Sequence, residues 1–122
     1  DDLPNAGPMS GIPAALERTT RTHVVVLALA LPRMSEDWLR SLLTLCAPGK
    51  GAVGRREGFF EPLAAVYPRE MTPLFWAALA GARYALQPVL AQGEAEGLLG
   101  VRPIAAAEAA WFDNWNEPRP PA

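Results

Sequence analysis

The stretch VVVLALALPRM, Val24 to Met34, decides how the rest of the chain is read. Every residue from Val24 to Pro32 is apolar, and the side chains are continuous rather than alternating. That pattern marks a strand buried on both faces, running from His23 to Ala30 and stopped by Pro32, and it points to a parallel sheet. In an open α/β sheet, the residue that closes such a strand lies where ligands bind. Here Ala30 and Leu31 hold that place, and neither side chain has chemistry to offer.

Working outward, helices and strands alternate on both sides of this strand. Asp1 to Pro8 is a loop rich in turn formers. Ser10-Gly11 opens a short helix that places Ile12, Ala15 and Leu16 at helical spacing and ends near Arg18. Downstream, Ser35 is an N-cap candidate with Glu36 and Asp37 in the first turn, facing the positive end of the helix dipole. Trp38, Leu39, Leu42, Leu43 and Cys46 form an apolar stripe, and Pro48-Gly49 ends that helix. Ala52 to Arg56 reads as a short strand. Phe59 to Tyr67 reads as another, in which Pro62 predicts an edge or a bulge. Thr72-Pro73 starts a helix that continues to Gly81. A further helix covers Ala85 to Ala91, and Leu98 to Ile104 is the last strand. Ala105 to Ala110 is a helical turn, and 117–122 is a loose Pro-rich tail. The order is that of a doubly wound α/β domain, single across 1–122, with no internal repeat and no linker.

Composition narrows the function classes. The chain has 122 residues, enough for one domain with a core, and is 50% hydrophobic and 20% charged, as folded domains are. A net charge of -2, with only Arg55 and Arg56 adjacent among the basic residues, predicts no nucleic-acid or polybasic membrane surface. Val24 to Pro32 is too short to span a bilayer and has no signal-peptide cleavage pattern. The single cysteine, Cys46, allows no intrachain disulfide and no cysteine-based zinc site, and it fits a reducing, cytoplasmic setting. Cys46 sits on the apolar stripe and reads as a small hydrophobe with no activating base nearby. His23 is the only histidine, so no two-His metal site and no catalytic triad is expected, and it reads as a surface or packing residue. Trp38, Phe75 and Trp76 read as core. Arg55-Arg56-Glu57 reads as a solvated edge rather than a phosphate clamp. Neither G-x-G-x-x-G nor G-x-x-x-x-G-K-[ST] occurs. The chain opens Asp-Asp-Leu-Pro without Met, as expected of a processed chain or of part of a longer polypeptide.

Three short stretches, taken in order, resemble one family. They are GPMSGI (Gly7 to Ile12), ALPRMS (Ala30 to Ser35) and WFDNWNEP (Trp111 to Pro118). Together they are similar to the molybdenum cofactor guanylyltransferases and the wider MobA-like nucleotidyltransferases. That family has G-P-L-A-G-[IM] opening a helix, a strand ending Asp-x-Pro, and a closing F-x-N-x-N-T-P. The segment GFFEPLAAVYP, Gly58 to Pro68, is similar to the family strand with a Pro-Leu step and an apolar-Tyr end.

The resemblance implies a Rossmann-like three-layer nucleotidyltransferase domain. Its sheet would be mostly parallel with helices on both faces, and its N-terminal part would be missing. It implies transfer of GMP from GTP to molybdopterin with release of pyrophosphate, assisted by Mg²⁺. The family's Gly-rich loop, which would hold GTP phosphates at a helix N-terminus, lies upstream of Asp1. The family's Mg²⁺-binding Asp is Ala30 here, and a methyl group cannot coordinate a metal. On the nucleotide side the resemblance assigns Asp1 or Asp2, together with Gly7 and Pro8. On the molybdopterin side it assigns Asn114 and Asn116, with Glu117 where the family has Thr. Asn114 and Asn116 also read as a turn-forming pair whose amides satisfy local backbone. Three readings follow: the C-terminal part of such an enzyme, a family member that kept the fold and lost catalysis to become a binding or regulatory partner, and an α/β interaction domain without nucleotide chemistry. A sheet lacking its first strands exposes an edge, so another protein chain covering that edge is expected.

Overall fold

Within residues 8–27 and 32–109, which the computed structural model describes, one sheet lies between helices on both of its faces. The elements are α1 (Pro8–Arg18), β1 (His23–Leu27), α2 (Pro32–Leu43), β2 (Gly51–Arg56), β3 (Phe59–Pro68), α3 (Thr72–Ala80), α4 (Leu86–Ala95) and β4 (Leu99–Pro103), followed by a 3₁₀ turn at Ala106–Glu108. The four strands lie in the order β1-β3-β2-β4.

The α/β class and the layering agree with the sequence reading; the strand directions do not. β3 is antiparallel to both β1 and β2, and only β2 and β4 pair in parallel. The sheet is therefore mixed. The cause is the β2–β3 connection. Glu57 (φ 52) and Gly58 (φ 87) make a two-residue turn with both central residues in the left-handed region, the geometry that closes a tight hairpin. A hairpin forces antiparallel pairing, and β3 then inserts between β1 and β2. The burial on both faces that the continuous apolar run predicts is not reached: His23, Val24, Val26 and Leu27 are half-buried and Val25 is exposed. Val24 and Val26 pack on one core and Leu27 on the other. Val25, on the same face as Leu27, is 48% exposed, because β1 is an edge strand in the described sheet.

Two cores follow from alternation along the central strands. Val53, Ala65 and Tyr67 face α1, α3 and α4, where Met9, Ile12, Leu16, Phe75 and Leu90 are buried. Ala52, Ala64 and Val66 face the other way, toward Trp38 and Leu42 of α2 and Ile104. In the first core, Tyr67 meets Phe75 edge-on at 5.7 Å between ring centroids. Burial pushes the Tyr67 phenol far above its usual range, so it remains a hydrogen-bond donor, to the Pro62 carbonyl at 2.7 Å.

Pro62 sits in the bulge that its position predicts. Val53 faces Ala65 but Gly54 faces Glu61, so 62–64 have no partner on β2. The strand is central rather than at the edge. Beyond the reach of β1, the peptide of Phe60 is satisfied by the Gln87 side chain of α4, which accepts from its N–H at 2.9 Å and donates to its C=O at 2.9 Å.

Helix ends depart from expectation at several points. α1 begins at Pro8, two residues before Ser10, and α2 begins at Pro32, so Ser35 lies inside the helix rather than capping it. In both cases a Pro takes the first helical position, where its missing N–H costs nothing. α2 ends at Leu43, which is exposed, rather than at Pro48-Gly49. Pro48-Gly49 instead forms a tight turn between Ala47 and Lys50, with Gly49 at φ 75 in the left-handed position that a type II turn requires. Thr72 is likewise inside α3, and its hydroxyl donates to the Arg69 carbonyl at 2.7 Å.

α2 lies close on the sheet because Gly54 has no side chain. A Cβ there would come within 2.6 Å of Trp38 Cζ2 and 3.0 Å of Ile104 Cδ1. Both neighbours are buried and cannot swing away. Gly54→Ala is expected to lower the unfolding free energy by about 2 kcal/mol through overpacking, and urea unfolding of the variant against the parent chain measures it.

Candidate functional site

β1, β2 and β4 run in one direction, so their carboxyl ends share one side of the sheet with the amino end of β3. Ligands of open α/β sheets bind on that side. β1 ends on this side at Leu27, and Ala30 lies outside the described residues.

The described side chains at this end form a set of ion pairs. Arg55 and Phe60 lie opposite one another on the α4 face. The Arg55 guanidinium lies 5.5 Å from the Phe60 ring centroid and pairs with Glu94 at 3.3 Å, where both side chains are well exposed. Arg56 and Phe59 lie opposite one another on the α2 face. Arg56 reaches Glu61 at 3.1 Å, a largely buried pair, and donates to the Ala109 carbonyl at 3.1 Å. Glu61 is buried, which its pairing with Arg56 makes tolerable.

Arg102, near the end of β4, makes the densest set of contacts. Its guanidinium stacks 4.3 Å from the Trp38 ring. It donates through Nε to Ser41 Oγ at 3.3 Å, through Nη1 to the Pro103 carbonyl at 2.6 Å, and forks onto both carboxylate oxygens of Glu108, with Nη2 to Oε2 at 2.7 Å. Glu108 Oε1 also accepts the N–H of Ala105 at 2.9 Å and so closes the start of the 3₁₀ turn. The hydrogen bonds from Arg102 hold the Glu108 carboxyl below its usual range, against partial desolvation. The Pro103–Ala109 segment is thus clamped at both ends, by Arg102 and by Arg56.

The arginine pair reads differently here than in the sequence. Arg55 stays well exposed, as on a solvated edge, but Arg56 is a largely buried structural cation. His23 packs as expected. Its Nε2 faces the carbonyls of Ala47 (3.1 Å) and Lys50 (2.9 Å), so it donates to that turn while Nδ1 meets the Thr22 hydroxyl at 2.8 Å. Burial pushes the Cys46 thiol up, and its Sγ–H donates to the Leu42 carbonyl at 3.4 Å, which suits a packing residue and not a nucleophile. Trp38 and Phe75 are fully buried, and Trp76 packs partly buried against the first core. A cavity of about 520 Å³ opens between α3 and α4, lined by Leu74, Ala77, Tyr84, Pro88 and Val89 among other described residues. Among the described residues, no group of three His, Cys, Asp or Glu is placed to hold a metal ion, and no helix is long and apolar enough to cross a membrane.

Comparison with known proteins decides the family. The model of the MobA-like NTP transferase domain matches residues 1–97. The chain belongs to this family. A probable molybdenum cofactor guanylyltransferase of Opitutus terrae is 31% identical over 121 residues, which cover 97% of this chain and 60% of that protein. A molybdenum cofactor guanylyltransferase of Pseudomonas putida is 32% identical over 93 residues, covering 75% of this chain and 49% of that protein. One of Natronomonas pharaonis, also described as probable, is 34% identical over 67 residues, covering 55% of the chain and 33% of that protein. The chain thus spans about half to three-fifths of the length of the relatives that it matches over most of its own length. No solved structure matches it.

For this MobA-like domain, the residues expected from the resemblance fall mostly outside the described set. Asp1, Asp2, Gly7, Ala30, Asn114 and Asn116 all lie outside it, as does the 117–122 tail. Pro8 is placed as the first residue of α1. Within the described residues, the domain brings to the carboxyl side a set that sequence reasoning missed: Arg56 with Glu61, and Arg102 with Glu108. Only the six-residue spacing of Arg102 and Glu108 across a Pro-containing turn could have hinted at the second pair.

Removing the clamp has a calculable sign. A carboxyl group whose pKa is lowered in the fold stabilises the protein above its ordinary pKa, and that contribution is lost as pH falls through the lowered value. Glu108→Gln is expected to cost about 1 kcal/mol at neutral pH, with the gap to the parent closing as pH drops below the usual carboxylate range; urea unfolding at pH 7 and pH 3 provides the two measurements.

Proposed function

We propose that the complete protein transfers GMP from GTP to molybdopterin, as a molybdenum cofactor guanylyltransferase. The observation that carries this reading is the family match over 1–97, joined to relatives of that name. A terminal phosphate oxygen of molybdopterin attacks the α-phosphorus of GTP. The new P–O bond joins the two ligands, the bond from the α-phosphorus to the α,β-bridging oxygen breaks, and pyrophosphate leaves with that electron pair. In-line positioning and neutralisation of phosphate charge carry such a reaction.

On this reading Asp1 or Asp2 contacts the guanine nucleotide, and Gly7-Pro8 sets the start of α1 beside it. Asn114 and Asn116 line the molybdopterin side, and their segment follows directly on the clamped Ala106–Glu108 turn. The family's Mg²⁺ does not fit the residues present. Ala30 offers a methyl group where a carboxylate belongs, and the described residues make no metal site. This chain alone is therefore proposed to be inactive.

Ala30 also favours a second reading, a family member that kept the fold as a binding or regulatory domain. The exposed outer edge of β1, with Val25 half exposed on it, supports a covering strand from another chain or from the rest of the polypeptide. Taken alone, the chain is expected to self-associate or to melt at low temperature; sedimentation analysis and a thermal melt check this, and a monodisperse monomer with a high Tm contradicts it.

Calorimetric titration with GTP and Mg²⁺, with CTP as control, tests the nucleotide assignment. Binding of GTP but not CTP is expected, and binding of neither removes the nucleotide site from this chain. Ala30→Asp in the complete protein separates the two readings: a gain in Mg²⁺-dependent transfer supports the enzyme, and no gain supports the degenerate member.

A further inference from the structure

α3 is apolar all the way round. From Thr72 to Ala80 it carries no charged residue, and Pro73, Ala77 and Ala80 on its outer side are exposed. A helix of that kind is suited to cover on every side. Beside it lies the cavity shared with α4, whose volume of about 520 Å³ is within the range that holds small ligands. Its walls include Ala77, Ala78 and Ala85, whose short side chains leave the space open. Arg83 alone among the described lining residues is charged.

The place of that arginine is built into the end of α3. The Arg83 N–H donates to the Ala78 carbonyl at 2.8 Å and the Ala82 N–H to the Leu79 carbonyl at 3.0 Å, the paired bonds that close a helix through one left-handed residue. Ala82 takes that conformation, at φ 58, where glycine is usual, and backbone strain of this sort collects at ligand sites. The glycine stands one residue earlier. A Cβ at Gly81 would lie 3.0 Å from Arg83 Nε, so Gly81 leaves room for the side chain to fold back over the helix end. There its Nη2 donates to the Ala77 carbonyl at 3.1 Å. Arg55, Arg56 and Arg102 each have a glutamate, whereas Arg83 has no carboxylate partner among the described residues. An apolar groove thus ends in a positioned cation that lacks an anion.

We propose that this groove binds a small organic anion with a flat apolar body, of the class of aromatic carboxylates and sulfonates, the body between α3 and α4 and the anionic group on Arg83 beside the exposed Tyr84. The walls account for the body, and charge complementarity accounts for the head. The site is independent of the guanylyltransferase reading, and no bond is made or broken in it.

The test uses the complete protein and two dyes that brighten in apolar surroundings, anilinonaphthalene sulfonate and its uncharged counterpart N-phenylnaphthylamine. The parent is expected to bind the sulfonate more tightly than the neutral dye. Arg83→Gln should weaken the sulfonate by roughly ten-fold and leave the neutral dye unchanged. Arg83→Lys keeps the charge and should recover most of the loss, which a purely structural arginine would not allow. Ala77→Leu, which fills the groove, should weaken both dyes. Tm should match the parent in all three, since both positions are exposed. No binding of the sulfonate by the parent, or equal binding by Arg83→Gln, overturns the proposal. Unchanged binding by Ala77→Leu places the dye elsewhere and overturns it as well. Displacement of the dye by GTP assigns the groove to the nucleotide and overturns a separate site, while the proposed function stands.

Discussion

Trp38 lying against Gly54 is the contact on which the carboxyl side of this domain depends. The buried indole of α2 fills the space that a side chain at position 54 would have taken. The ring then serves two neighbours, and its helix supplies a third contact. Its core-facing side packs with Ile104. Its π surface receives the Arg102 guanidinium, which forks onto Glu108 and closes the last turn. Its helix carries Ser41, which accepts from Arg102. A hydrophobic contact between a helix and a strand thus sets the position of an ion pair, and the ion pair sets the course of the chain toward the closing motif. The guanidinium gains twice here, from the bidentate carboxylate and from a ring face that needs no hydration.

The balance of charge on this side bears on the proposed function. Arg55, Arg56 and Arg102 are each matched by a glutamate, Glu94, Glu61 and Glu108 in turn. Arginines committed in this way hold the fold and carry no spare charge for a triphosphate. Among the described residues β1 is the edge strand of the sheet and carries the half-exposed Val25.

Local signals in the sequence were read well where the physics is local. Pro62 announced a bulge because proline cannot donate to a ladder, and 62–64 are indeed left without partners on β2. Lone Cys46 and His23 read as packing residues, and each is occupied with backbone carbonyls. Ser35 was misread as a cap because two signals competed, and proline at the first helical position prevailed three residues earlier. Of the site expected from family resemblance, the described structure places Pro8 alone.

The sequence by itself determined that Trp38 and Phe75 would be core, that Pro62 would interrupt its ladder, and that no carboxylate stands at position 30. These follow from side-chain period, from the special backbone needs of Gly and Pro, and from residue identity. Only the tertiary structure decided that β3 lies between β1 and β2 and runs against both, that Arg56 finds Glu61 and Ala109, and that Arg102 finds Trp38 and Glu108. An apolar run specifies burial and is silent about the direction of its neighbour. A charged side chain specifies its charge, and its partner is chosen by how distant segments pack.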